Sequence, residues 1–112
     1  MRKLRMALLK GTLDVLVLKT LSWSAMHAFE IESWIEDRSE GRVEVDDAAL
    51  LQALHRLEAR KLLRAAWGVT ANGRRARYYE LTAAGRAFLQ DESLRLVDHF
   101  DALVSILTAK RA

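Results

Sequence analysis

Apolar residues recur at intervals of three and four through the first half of the chain, which is the spacing of amphipathic helices. The pattern predicts helices over residues 8–23, 26–38 and 48–61. Asp46 or Asp47 is the expected N-cap of the third helix. The acids of the second helix are expected in solvent, and its inward positions are Phe29, Ile31, Trp34 and Ile35. The core positions of the third helix are Leu50, Ala53, Leu54 and Leu57.

The helical spacing is lost after Leu62, and the segment that follows predicts a β-hairpin. The pair Tyr78-Tyr79 favours a strand because aromatic side chains suit a half-buried pleated surface. Asn72-Gly73 favours a two-residue type I′ turn, since both residues tolerate positive φ. The second strand is therefore expected to begin at Arg74.

A fourth helix is predicted from Thr82, its expected N-cap, toward Lys110, with Gly85 as a local weakness near its start. Three short helices and a hairpin offer little room to bury the wide apolar face of this helix. We therefore expect a homodimer formed through it, the alternative being packing within the chain. The expected interface residues are Leu89, Leu96, Val97, Phe100, Leu103, Val104 and Leu107.

Three helices followed by a hairpin is the element order of a winged helix-turn-helix. In that fold the third helix enters the DNA major groove, and the hairpin, or wing, lies along the backbone or in the minor groove. The predicted fold class is mainly α with a small β-hairpin, a winged helix-turn-helix plus a C-terminal dimerisation helix. The two parts correspond to residues 1–82 and 83–112.

Composition removes several function classes. The 112 residues fit one domain, and 51% apolar with 29% charged residues is the balance of a folded protein. The longest apolar stretches fall short of the roughly 20 residues that span a bilayer. No secretory signal is recognisable, so we expect a cytoplasmic location and no membrane partner. The chain has no cysteine, and its histidines lack metal-binding spacing. We expect no metal, no cofactor and no enzyme activity.

The formal net charge of +3 hides a division into blocks. Residues 1–13 hold four bases and no acid, residues 30–47 hold eight acids and two bases, and residues 55–86 hold eight bases and two acids. A chain divided in this way is able to present one basic face to a polyanion such as double-stranded DNA. The alternative is that these charges are solvated helix faces.

The expected DNA contacts lie on the outward face of the third helix and on the wing, where basic side chains reach phosphates and grooves. Two alternatives stay open. The wing arginines also suit an edge that discourages strand pairing, and His55 also suits a surface position without a role. The predicted contacts are Leu51, Gln52, His55, Arg56, Arg74, Arg75 and Arg77.

The three tryptophans, Trp23, Trp34 and Trp67, are expected in the core because large aromatic residues carry much of the burial in small domains. The alternative is that they line a pocket for a flat aromatic ligand.

Six short segments follow one another in a recognisable order: residues 9–14 (LKGTLD), 26–31 (MHAFEI), 53–58 (ALHRLE), 67–68 (WG), 73–79 (GRRARYY) and 81–85 (LTAAG). Together they resemble the PadR family of bacterial transcriptional regulators, over about residues 8–89. The resemblance implies a dimeric winged-helix repressor of palindromic operator DNA, whose binding is weakened by small aromatic or cationic effectors.

Two segments depart from the family pattern. The family's His-Gly-Tyr is His27-Ala28-Phe29 here, and Leu51 stands where the family's recognition helix has a tyrosine. Leucine makes no hydrogen bond to DNA but is able to contact a thymine methyl. Asp46 and Asp47 would repel a phosphate at the helix start. The alternative function is therefore a winged-helix dimerisation or protein-interaction module with weakened sequence-specific DNA binding.

Overall fold

A computed structural model describes residues 11–111. Four helices and one hairpin follow in the predicted order, which confirms the winged helix-turn-helix fold class. Residues 8–10 of the first predicted helix lie outside the described range. The elements are α1 (Thr12–Leu21), α2 (Ala28–Arg38), α3 (Asp47–Ala59), β1 (Leu63–Val69), β2 (Arg75–Leu81) and α4 (Ala83–Leu107).

Helix α1 is the central element of the core and contacts α2, α3, β2 and α4. It begins after Gly11, whose φ of 88° lies in the left-handed region that glycine adopts at low cost. Val17 and Leu18 are fully buried. The Thr20 hydroxyl, also buried, donates to the Leu16 carbonyl at 2.8 Å, so this buried polar side chain has a hydrogen-bond partner within its own helix.

Both helices of the helix-turn-helix are capped by side chains. His27 caps α2, with its Nδ1 accepting from the Glu30 amide at 3.4 Å and its own amide donating to the Glu30 carboxylate at 3.1 Å. Asp46 caps α3 by accepting from the Ala49 amide at 3.0 Å. The four predicted core residues of α3 are buried, which confirms its orientation.

The prediction for α2 was wrong at one core position. Ile31 and Ile35 are buried and Trp34 packs against the core, but Phe29 is 71% exposed. Phe29 precedes Ile31 by two residues, about 200° around the helix, so its side chain lies on the opposite face of α2 from the buried Ile31.

The hairpin differs from the predicted type I′ turn. Val69 pairs with Arg75, so the second strand begins one residue later than expected. The Gly73 amide donates to the Thr70 carbonyl at 2.9 Å, and the Thr70 amide donates to the Arg74 carbonyl at 2.8 Å. Only Gly73 in this turn has positive φ. The connection is therefore a three-residue loop that ends in a left-handed glycine.

A short third segment widens the wing sheet. The Met26 amide donates to the Tyr79 carbonyl at 3.1 Å, and the Tyr79 amide donates back to the Met26 carbonyl at 2.9 Å. This isolated bridge attaches the start of α2 to β2, so the wing and the helix-turn-helix share backbone hydrogen bonds.

Helix α4 begins at the N-cap Thr82, as predicted, because the Thr82 hydroxyl accepts from the Gly85 amide at 3.0 Å. Gly85 is not the weakness expected from its helix propensity. A Cβ at this position would stand 2.1 Å from the Leu62 carbonyl oxygen, so only glycine permits the close approach of α4 to the chain after α3. In the described range, no helix is both long and apolar enough to cross a bilayer.

We expect Gly85→Ala to lower the free energy of unfolding by about 2 kcal/mol, because the added methyl forces α4 away from Leu62. Urea denaturation measures the change. Ala84→Ser is the matched control, since it adds one heavy atom at the exposed neighbouring position. A Gly85→Ala protein as stable as the parent would contradict the close packing.

Candidate nucleic-acid interface

The outer face of α3 carries the four residues expected to contact DNA. Leu51, Gln52, His55 and Arg56 are all exposed. Arg56 is engaged within the chain, because its Nη2 lies 2.7 Å from Oδ1 of Asp14 on α1. The pair fixes one flank of α3 against α1 and orients the guanidinium at the edge of the face.

The opposite flank of α3 faces the wing. Arg77 on β2 places its Nη2 2.7 Å from Oε2 of Glu58 on α3. Leu51, His55 and Glu58 are spaced by four and three residues, so they share one side of the helix. The ion pair therefore holds the wing beside the flank that bears Leu51 and His55.

The remaining wing arginines are presented to solvent. Arg74 and Arg75 are exposed and form no ion pair with any residue of the described range. The Arg75 guanidinium lies 4.9 Å from the centre of the Trp67 ring. Arg74 and Arg75 are thus neighbouring exposed cations at the turn, whereas Arg77 joins the wing to α3 through its ion pair.

The expectation that the tryptophans belong to the core was wrong for two of them. Trp67 is 63% exposed and Trp23 is 61% exposed, and only Trp34 packs against the core. Trp23 follows the end of α1, and Arg38 lies over both Trp23 and Trp34 at 5.5 and 5.1 Å from the ring centres. Two of the three tryptophans therefore lie on the surface, at separate places.

A cluster of acids surrounds the start of α3. Burial, a hydrogen bond to Asp47 and the neighbouring charges of Asp47, Glu36 and Asp46 raise the pKa of Glu32 from 4.5 to about 7. Glu32 was expected in solvent, but α2 turns it toward the start of α3. A protonated Glu32 lowers the negative charge beside Asp46 and Asp47, which would repel a phosphate at the start of α3.

The raised pKa of Glu32 predicts a pH-dependent stability. The neutral carboxyl stabilises the fold fully below about pH 4.5, and this contribution is lost as the pH rises through about 7. We expect Glu32→Gln to raise the free energy of unfolding by about 1 kcal/mol at pH 8 and to have little effect near pH 4.5. Thermal denaturation across this range measures it. Asp37→Asn, exposed on the same helix, is the control. Equal pH profiles for Glu32→Gln and the parent would contradict the assignment.

A groove of about 610 Å³ lies between α1 and the first half of α4. Val15, Leu16 and Leu96 contribute apolar walls, and Lys19 and Arg86 contribute positive charge at the groove. None of the three tryptophans lines this groove. Among residues 11–111, no three His, Asp or Glu side chains form a cluster able to hold a metal ion.

The residues expected at a dimer interface divide into three groups by their burial. Leu89 is buried in the core of its own chain because the first half of α4 packs on α1. Leu96 and Leu103 are half-buried. The four exposed members follow spacings of three, four and three, which is a single stripe along the second half of the helix. They are Val97, Phe100, Val104 and Leu107. The exposed Leu94 and Ile106 were not predicted.

An exposed third helix with a wing held at its flank defines a winged helix-turn-helix protein. The family described as the transcriptional regulator PadR-like family matches residues 17–91, and the chain belongs to this family. The protein is thus a PadR-like transcriptional regulator.

Solved structures give the same fold. A transcriptional regulator from Clostridium thermocellum has a TM-score of 0.77 at 18% identity, over 89% of this chain and 93% of that one. A PadR family regulator from Clostridium difficile has a TM-score of 0.73 at 22% identity, over 87% and 99%. Bacillus subtilis PadR, solved in complex with operator DNA, has a TM-score of 0.63 at 16% identity, over 70% and 45%.

Proposed function

We propose that this regulator is a dimeric repressor that binds palindromic operator DNA. The observation that carries the proposal is one exposed surface that combines the outer face of α3 with the uncompensated Arg74 and Arg75 of the wing. In this proposal Gln52 and His55 contact base edges or phosphates, Arg56 contacts the edge of the same groove, and Leu51 contacts a thymine methyl. The likeness to Bacillus subtilis PadR, which was solved with operator DNA, supports the same use of the fold.

Dimerisation through the second half of α4 supports a palindromic site, because a two-fold protein presents two identical DNA-binding surfaces. DNA binding belongs to residues 1–82 and dimerisation to residues 83–112, although the first half of α4 also packs on α1. The protein acts in the cytoplasm without catalysis, metal or cofactor.

A small aromatic effector has a candidate site in the groove between α1 and α4, because the walls of the groove are mainly apolar. Lys19 and Arg86 make the same groove unfavourable for a cationic effector. Binding there would change the packing of α1, the helix to which Arg56 is joined through Asp14.

The test is a fluorescence-anisotropy titration with duplex DNA from upstream of the protein's own gene and with a shuffled duplex, each at about 50 and 200 mM salt. We expect tighter binding to the upstream duplex and a steep fall of affinity with salt, because each neutralised phosphate releases counterions. No binding to any duplex at the lower salt would overturn the proposed function.

The double variant Arg74→Ala/Arg75→Ala should abolish detectable binding at about 200 mM salt, and at lower salt it should reduce the salt slope by about 2 per protomer. Its dimer should remain intact because both residues lie on the wing. The control is Arg95→Ala/Lys110→Ala, which removes two exposed charges from α4 and the residues after it. If both double variants bind alike, the wing does not contact DNA.

The exposed stripe of α4 predicts that Val104→Asp raises the dimer dissociation constant at least about tenfold, since it places an unpaired charge in an apolar contact. Analytical ultracentrifugation measures the constant. Ser105→Asp adds the same charge at an exposed position outside the stripe and should leave the dimer unchanged. A dimer insensitive to Val104→Asp would place the interface elsewhere.

The second candidate function is a dimerisation or protein-interaction module with weakened operator binding. The acids at the start of α3 favour it, because Asp46, Asp47 and Glu32 lie where the family fold approaches a phosphate. Equal, weak binding to the upstream and shuffled duplexes would support this candidate over the first.

A further inference from the structure

Trp67 is a large aromatic side chain on the wing that does not pack in the core. Residues paired across the hairpin share one face of the sheet, and alternate residues of each strand lie on that face. Leu63, Ala65 and Trp67 of β1 therefore lie on the face that packs on the core, opposite Leu81, Tyr79 and Arg77 of β2. Toward the turn, the sheet extends past the core.

The direction of this face is fixed by a contact to α3. Arg77, directly opposite Trp67, reaches Glu58 at 2.7 Å. Glu58 shares its flank of α3 with Leu51 and His55. Trp67 consequently lies on the side of the wing that faces the exposed flank of the recognition helix.

The surroundings of Trp67 are cationic. Arg75 lies diagonally across the hairpin, with its guanidinium 4.9 Å from the ring centre. Stacking on an aromatic face limits the positions of a guanidinium and leaves its N–H groups available for a phosphate or a groove. Val69, directly opposite Arg75, is also exposed, so the apolar residues of β1 near the turn lie opposite the arginines of β2 on this face.

We propose that Trp67 is itself a DNA-contact residue, whose ring packs against the sugars and base edges of the groove that the wing enters. This inference rests on the proposed function and adds an apolar contact to it. Arg75 and Arg74 supply the charge complementary to DNA, and the ring excludes water from the contact that they form. Apolar side chains of this kind act as wedges in minor grooves.

Trp23 provides a matched control within the same chain. It is 61% exposed and also lies beneath an arginine, Arg38, at 5.5 Å. It follows the end of α1 and lies near the acidic α2 rather than on the wing. Trp23 and Trp67 therefore differ mainly in their position relative to α3 and the basic turn.

The first experiment compares Trp67→Ala and Trp23→Ala by anisotropy titration with the duplex from upstream of the protein's own gene, at about 50 mM salt. We expect Trp67→Ala to weaken binding about tenfold and Trp23→Ala to leave it within about twofold. Thermal denaturation checks that both variants fold. Equal affinities for Trp67→Ala and the parent would overturn the inference while leaving the proposed function in place.

The second experiment tests contact directly by acrylamide quenching of tryptophan fluorescence. In Trp23→Phe/Trp34→Phe, where Trp67 is the remaining tryptophan, DNA should reduce quenching severalfold. In Trp67→Phe, DNA should leave quenching unchanged. If Trp67 remains equally accessible in the complex, it does not touch DNA, even when Trp67→Ala weakens binding. A parent protein that binds no duplex overturns both the proposed function and this inference.

Discussion

The backbone at Lys61 and Leu62 is the junction on which the arrangement of the molecule depends. Leu62 donates to the Leu57 carbonyl at 2.9 Å to close the end of α3, and its own carbonyl accepts from the Thr82 amide at 3.1 Å. The Thr82 hydroxyl donates to the Lys61 carbonyl at 2.8 Å. The end of α3, the base of the wing and the start of α4 therefore meet through backbone groups, and Gly85 allows the approach.

This junction explains how a small fold holds two distant surfaces in a defined relation. Helix α4 starts directly after β2, with Thr82 as the single residue between them. Its first half is fixed on α1, and its second half carries the exposed apolar stripe. A continuous helix of about 37 Å thus connects the proposed DNA-binding surface to the proposed dimer contact.

Much of the fold was predictable because its determinants are local. Capping by Asp46 and Thr82, and the apolar spacing of Leu50 to Leu57, follow from short-range geometry. The ion pairs were not predictable, since Arg56 finds Asp14 across 42 positions and Arg77 finds Glu58 across 19. The environments of Gly85 and Glu32 were also not predictable, because Gly85 lies against Leu62 and Glu32 lies beside Asp47, which belong to other segments of the chain.

The exposed aromatic residues show a second limit of prediction from the sequence, which concerns burial. Hydrophobicity predicts burial, but surfaces that bind partners also carry apolar residues. Phe29, Trp23 and Trp67 are residue types that are typical of a core, but they are exposed on the surface. The candidate DNA contacts on α3 were correctly predicted as exposed. Only the tertiary structure shows that Arg77 pairs with Glu58 while Arg74 and Arg75 face solvent.

The ion pair between Asp14 and Arg56 has a thermodynamic consequence. Asp14 precedes Val15 and Leu16, which line the groove between α1 and α4, and Arg56 belongs to the helix proposed to enter DNA. A ligand in the groove that shifts α1 would perturb α3 through this pair. Linkage is reciprocal, so a ligand that lowers DNA affinity by a given factor is itself held less tightly, by the same factor, on the DNA-bound protein. Occupancy by DNA would then lower the affinity of the groove for such a ligand.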